Sequence, residues 1–195
     1  MPKFTVFATL LMPESILSSA TPNISAAVRV CTSTPDRKAS INPWSPLRWA
    51  KKFIESYFRR HSGVKAYIEQ TLKEAKEKGY VKTIFGRKRQ VPEIKNPNSV
   101  TRMLGERLAV NSPVQGTAAD IIKISMINLF DAFKSEGLKT KMILQVHDEL
   151  VFESPGNEIE KACTIVKEKM EGAADLSVPL RAEIGYGKNW AEAHR

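Results

Sequence analysis

Two adjacent carboxylates, Asp148 and Glu149, lie in the run Met142-Ile143-Leu144-Gln145-Val146-His147-Asp148-Glu149-Leu150-Val151-Phe152-Glu153. The run reads as two short apolar strands meeting at a sharp acidic turn. On a chain with a net charge of +9, an acidic hairpin tip can hold a divalent cation close to a polyanion. Hard cations such as Mg²⁺ take oxygen ligands and usually keep waters and substrate phosphates beside one or two carboxylates. Asp148 and Glu149 are therefore the candidate metal ligands. The plain alternative is a solvated hairpin turn. His147, next to the pair, can act as a general acid or base, donate to a phosphate, or simply shape the turn.

A second constellation, Arg107, Asn111 and Gln115, is spaced i, i+4, i+8 and forms one stripe if the helix carrying it continues through Ser112-Pro113. All three side chains donate hydrogen bonds. Every Watson–Crick pair presents acceptors at equivalent places in the minor groove, so a row of donors can check pair geometry without reading sequence. A solvated helix face is the simpler meaning of these three residues taken alone. Arg87-Lys88-Arg89 forms a third feature, three cations at a predicted hairpin turn that suit a phosphate clamp. No nucleophilic Ser or Cys in a suitable setting, Gly-rich phosphate loop or His-x-x-x-His pair accompanies them. Hydrolase, P-loop and zinc-protease readings fall away.

These residues need elements to hold them. Val64, Tyr67, Ile68, Thr71, Leu72 and Ala75 follow helical spacing, and Gly79 is placed to end that helix. Tyr80 to Phe85 alternates like a strand, Gly86 to Arg89 turns, and Gln90-Val91 returns. Asn96 to Ser99 offers a loop and an N-cap for a helix over about 100–111, and Pro113 is expected to break or restart it. A long helix follows with Ala118, Ile121, Ile122, Ser125, Met126, Leu129 and Phe133 on one face, closed by Gly137. After the acidic hairpin comes an amphipathic helix with Ala162, Cys163, Val166 and Met170 inward, then a last strand at about 180–184. Helices and antiparallel hairpins mix without a βαβ rhythm, so the expected fold class is α+β.

Charge is unevenly distributed. Residues 51–107 carry fifteen basic against six acidic residues, whereas residues 108–195 carry ten against thirteen. A basic half facing phosphates makes nucleic acid the leading partner, and no basic stretch has a lipid-seeking apolar face. No run reaches the roughly 18–20 apolar residues of a spanning helix. Cys31 and Cys163 are too few and too far apart for a disulfide framework or a zinc site, which fits a reducing compartment. Residues 1–48 differ in kind, with twelve Ser and Thr, only two acids and no sustained period. They are expected to be a disordered leader outside the folded domain. Their acid-poor, Ser-rich composition keeps an organellar targeting role open.

From about Ala50 onward the chain resembles the C-terminal part of a family-A DNA polymerase of the bacterial DNA polymerase I type. The resemblance rests on Phe53 to Phe58 (FIESYF), Gly79 to Pro92 (GYVKTIFGRKRQVP), Glu106 to Asp120 (ERLAVNSPVQGTAAD), Gln145 to Leu150 (QVHDEL) and Glu183 to Trp190 (EIGYGKNW). It implies a partial right-hand fold over residues 49–195: an antiparallel palm sheet with packed helices, plus the rear helices of the fingers. It also implies that Asp148 binds catalytic metal, that Glu149 supports the metal site and that His147 contacts the primer terminus. Arg107, Asn111 and Gln115 would touch the primer–template minor groove.

The family's other metal-binding aspartate belongs to a DYSQIE-like string, and the nucleotide-binding fingers helix to an RxxxKxxxFGxxYG-like string. Neither string occurs here. The expected lineage function is template-directed deoxynucleotide addition in DNA replication or repair, with Mg²⁺ at a two-metal site that this chain furnishes only in part. Primer–template DNA, and dNTP in the complete enzyme, are the implied partners. The chain alone is expected to be inactive. It could be half of a split polymerase completed by another fragment, a non-catalytic DNA-binding remnant, or an unstable gene remnant. A cytoplasmic, nucleoid-associated location is expected.

Overall fold

A computed structural model describes residues 3–11 and 46–193, which form two compact units. One unit takes in Met1–Glu14 and Gly116–Arg195, and the other Ser15–Gln115.

The first unit is built on a four-stranded antiparallel sheet. In chain order its strands are β1 (Lys3–Leu11), β4 (Lys141–Val146), β5 (Glu149–Pro155) and β6 (Arg181–Gly187), arranged β4-β5-β1-β6. The rear half of the helix α3 (Ser99–Ser135) and the helix α4 (Ile159–Glu171) belong to the same unit. Val6, Ala8 and Leu10 of β1 pack with Leu150 and Phe152 of β5, Ile121, Leu129 and Phe133 of α3, and Val166 and Met170 of α4. Phe133 meets Phe152 edge-on at 5.7 Å. On the other face of β1, Phe7 packs with Val151 and Ala193, and its ring meets Trp190 at 5.3 Å beside the short helix α5 (Trp190–Ala193).

β1 overturns part of the expectation for residues 1–48. Lys3–Leu11 is a central strand, paired on both sides, and not a disordered leader. Val6, Phe7 and Ala8 are all buried, because both faces of this strand are covered. Such a strand reads as a continuous apolar run without alternation, which a short signal-like stretch mimics. The targeting and disorder readings of residues 12–45 lie outside the described residues.

The second unit contains α1 (Pro46–Arg60), α2 (Ser62–Lys78), the hairpin of β2 (Tyr80–Lys82) and β3 (Lys88–Gln90), a 3-10 turn (Pro92–Lys95) and the front of α3. Ala75, Val81, Val91, Ile94 and Ala109 form its core. The break between α1 and α2 falls at His61, just ahead of Gly63. Gly79 ends α2 in the left-handed conformation (φ 76°), and its N–H donates to the carbonyl of Ala75. The Asn98 side chain caps α3 by accepting from the N–H groups of Val100 and Thr101.

The expected break at Pro113 does not occur: α3 is continuous from Ser99 to Ser135. A proline inside a helix withdraws one N–H and crowds the carbonyl four residues earlier, here that of Ala109. Beside it the Tyr67 hydroxyl donates to the carbonyl of Val110 at 3.4 Å, a long bond. Gly105 is required where α3 crosses the 3-10 turn, since a Cβ there would sit 2.5 Å from the backbone N of Ile94. No helix among the described residues is long and apolar enough to cross a membrane.

Candidate active site and nucleic-acid interface

In the sheet unit, β4 and β5 join through His147-Asp148, with Val146 paired to Glu149. His147 is the one non-glycine residue with positive φ, 53°, among the described residues. Two-residue hairpins with positive φ at the first central position normally place glycine there. A histidine at that position is held by its surroundings at some conformational cost. The carbonyl of His147 accepts from the Gln145 side-chain amide, and the carbonyl of Asp148 accepts from the N–H of Leu10 at 3.0 Å. The turn is thereby fastened to the end of β1. Asp148 is exposed and Glu149 half-buried.

The register then fixes the neighbours of the acidic tip. Thr9 of β1 pairs with Glu149 on one side and with Glu183 of β6 on the other. Directly opposed residues share a face of the sheet, so Glu149, Thr9 and Glu183 form one row. The row is acid–threonine–acid. No acidic residue occurs anywhere in β1, and no group of three or more His, Cys, Asp or Glu converges to hold a metal among the described residues. A hard cation is compatible with Asp148, because Mg²⁺ accepts one or two carboxylates with water and phosphate oxygens completing its shell. Among the described residues no closed protein cage is furnished. Glu183 carried no role in the sequence reading, because only the pairing of β6 with β1 places it in line with Glu149.

In the helical unit, Arg107, Asn111 and Gln115 all lie on α3, whose continuity through Pro113 satisfies the condition for a single stripe. Arg107 and Gln115 are exposed and Asn111 is half-buried. The triplet Arg87-Lys88-Arg89 is divided by the hairpin. Arg87 lies in the turn, where its N–H donates to the Thr83 hydroxyl at 3.2 Å. Lys88 pairs with Lys82, and Arg89 pairs with Val81 on the opposite face of the hairpin. Lys88 thus shares its face with Tyr80 and Lys82, not with Arg89.

An antiparallel sheet backed on one face by two long helices, with an acidic hairpin tip at one end, is the layout of a polymerase palm. The family model for DNA polymerase family A matches residues 45–192, and this chain belongs to that family. It is similar to DNA polymerase I of Streptococcus pneumoniae TIGR4, 49% identical over 144 residues that cover 74% of this chain and 16% of that protein. It is likewise similar to DNA polymerase I of Bacillus caldotenax, 48% identical over 144 residues covering 74% of this chain and 16% of that protein. Thermostable DNA polymerase I of Thermus filiformis is 49% identical, with 74% of this chain and 17% of that protein covered.

The chain therefore spans about a sixth of the length of these curated relatives. A solved structure of the polymerase domain of Pol1 from M. smegmatis, in complex with DNA primer-template and dNTP, superposes with a TM-score of 0.80 at 31% identity. That match covers 98% of this chain and 41% of the solved one.

Proposed function

We propose that this chain is a DNA-binding palm-and-fingers portion of a DNA-directed DNA polymerase that does not add nucleotides unaided. The observation that carries the proposal is the row Glu149–Thr9–Glu183, in which the central strand meets the acidic tip with a hydroxyl. Two-metal phosphoryl transfer depends on carboxylates that place and bridge two ions. Bound metal would supply charge neutralisation at the transferring phosphate. Asp148 would hold that metal, Glu149 would support it, and His147, fixed at the turn, would donate toward a primer-end phosphate or hydroxyl. Arg107, Asn111 and Gln115 would lie along the minor groove of primer–template DNA, and backbone phosphates would meet Arg87 at the turn, Lys88 on one face of the hairpin and Arg89 on the other, as separate contacts. The occupied partner in the M. smegmatis Pol1 structure supports DNA and dNTP as the ligands of the lineage.

A split enzyme completed by another fragment is the second reading. β1 already fills the place between β5 and β6 where a complementing strand would insert, which favours the non-catalytic reading. A cytoplasmic, nucleoid-associated setting fits DNA as partner.

Fluorescence anisotropy with a mixed-sequence primer–template duplex tests the DNA-binding part. The account predicts sequence-indifferent binding that weakens with salt, falls in R107A and survives D148A without divalent metal. Duplex affinity unchanged in R107A would refute the placement of the groove-contacting stripe.

A further inference from the structure

The outer face of the β2–β3 hairpin carries an arrangement that neither the metal site nor the groove-reading stripe uses. Lys82 and Lys88 are directly opposed across the two strands. Like charges at opposed positions destabilise a hairpin, so the pairing needs compensation. Part of it comes from Tyr80 on the same face, whose ring lies 5.7 Å from the Lys82 ammonium and 4.9 Å from that of Lys88. Neither lysine has a carboxylate within 4.0 Å among the described residues, though Lys82 attracts Glu74 at longer range. The nearby carboxylate, Glu74, is already engaged by Lys78 at 2.8 Å and by Gln70 at 3.1 Å. Beside Tyr80 and Lys82 opens a cavity of about 320 Å³, which Tyr67, Gln70 and Glu74 help to line.

We infer that Tyr80, Lys82 and Lys88 form a phosphate-binding station, with one oxyanion of a nucleic-acid strand seated between the two ammoniums that the face of the tyrosine ring holds in place. An anion there would turn a repulsive cross-strand pair into a bidentate cationic clamp. The adjoining cavity leaves room for the phosphate and its hydration. A cationic track next to an aromatic face is the composition that accepts single strands regardless of sequence. The inference rests on the nucleic-acid reading above and assigns it a contact outside the duplex stripe.

The test uses the full chain, a labelled mixed-sequence single-stranded 20-mer, the corresponding duplex and inorganic tripolyphosphate. Lys82→Gln should weaken single-strand binding about three- to tenfold at low salt and reduce the salt slope by about 0.7, the loss of one phosphate contact. Lys82→Arg should restore binding. Without ligand, Lys82→Gln should melt no lower than the parent protein, because it removes a like-charge pair. Competition by millimolar tripolyphosphate would identify free polyphosphates as occupants, and its absence a strand backbone; the station stands in either case. Unchanged single-strand affinity and slope in Lys82→Gln, or an equal loss in Lys82→Arg, would overturn the inference. Since R107A reports on the duplex stripe separately, failure here would leave the broader reading intact, and the reverse also holds.

Discussion

Replacing Thr9 with aspartate places a third carboxylate between Glu149 and Glu183. Opposed side chains on neighbouring strands have Cβ atoms about 4.5–5.5 Å apart, so the carboxylate charges would lie roughly 6 Å from each other. Thr9 and Glu149 are half-buried and Glu183 is exposed, which keeps the effective dielectric high. With a value of about 40–80, each new pair repels by about 0.7–1.4 kcal/mol, and the two together by about 1.4–2.8 kcal/mol. For a chain of this size that corresponds to a fall of about 3–10 °C in melting temperature at pH 7.

The uncharged variant Thr9→Asn controls for the lost threonine. Adding Mg²⁺ or Mn²⁺ at about ten times its dissociation constant should restore about 1.4 kcal/mol in Thr9→Asp, and far less in Thr9→Asn. The assay is a thermal melt followed by circular dichroism at pH 7 across metal concentration. Equal melting of Thr9→Asp and Thr9→Asn at pH 7, with no metal response, would refute the acid–threonine–acid row.

Further expectations concern packing and thiol chemistry. Phe152→Ala removes a fully buried ring that meets Phe133 edge-on, and should cost about 3–5 kcal/mol in denaturant unfolding; a cost below 1 kcal/mol would contradict its place in the core. Burial pushes the Cys163 thiol above its ordinary value, so less thiolate is present at pH 8 than in a free cysteine. Peptide-resolved alkylation should find Cys163 slow in the folded chain and fast in denaturant. The linked stability is fully present below the ordinary thiol value and declines as pH rises past it.

Much of the scaffold was legible from local chemistry. Glycines 79 and 137 ended their helices at positive φ, Asn98 capped α3, and Ala162, Val166 and Met170 faced inward from α4. These features depend on neighbours within a turn or two, where sequence spacing is a reliable guide. What escaped was non-local. β1 finds its partners at the far end of the chain, and burial on both faces removes the alternation by which a strand is usually detected. Pro113 argued for a break, yet α3 runs on through it within the packed unit. The acidic tip was visible at once. Its neighbours Thr9 and Glu183, and the face shared by Lys82 and Lys88, follow only from strand register.

Primer extension by the purified chain bears most directly on the central claim. With Mg²⁺, four dNTPs and a primer–template that the chain demonstrably binds, the account predicts binding without any lengthening of the primer, because β1 presents Thr9 and no carboxylate beside Asp148 and Glu149. Template-directed extension that disappears in D148A would contradict it.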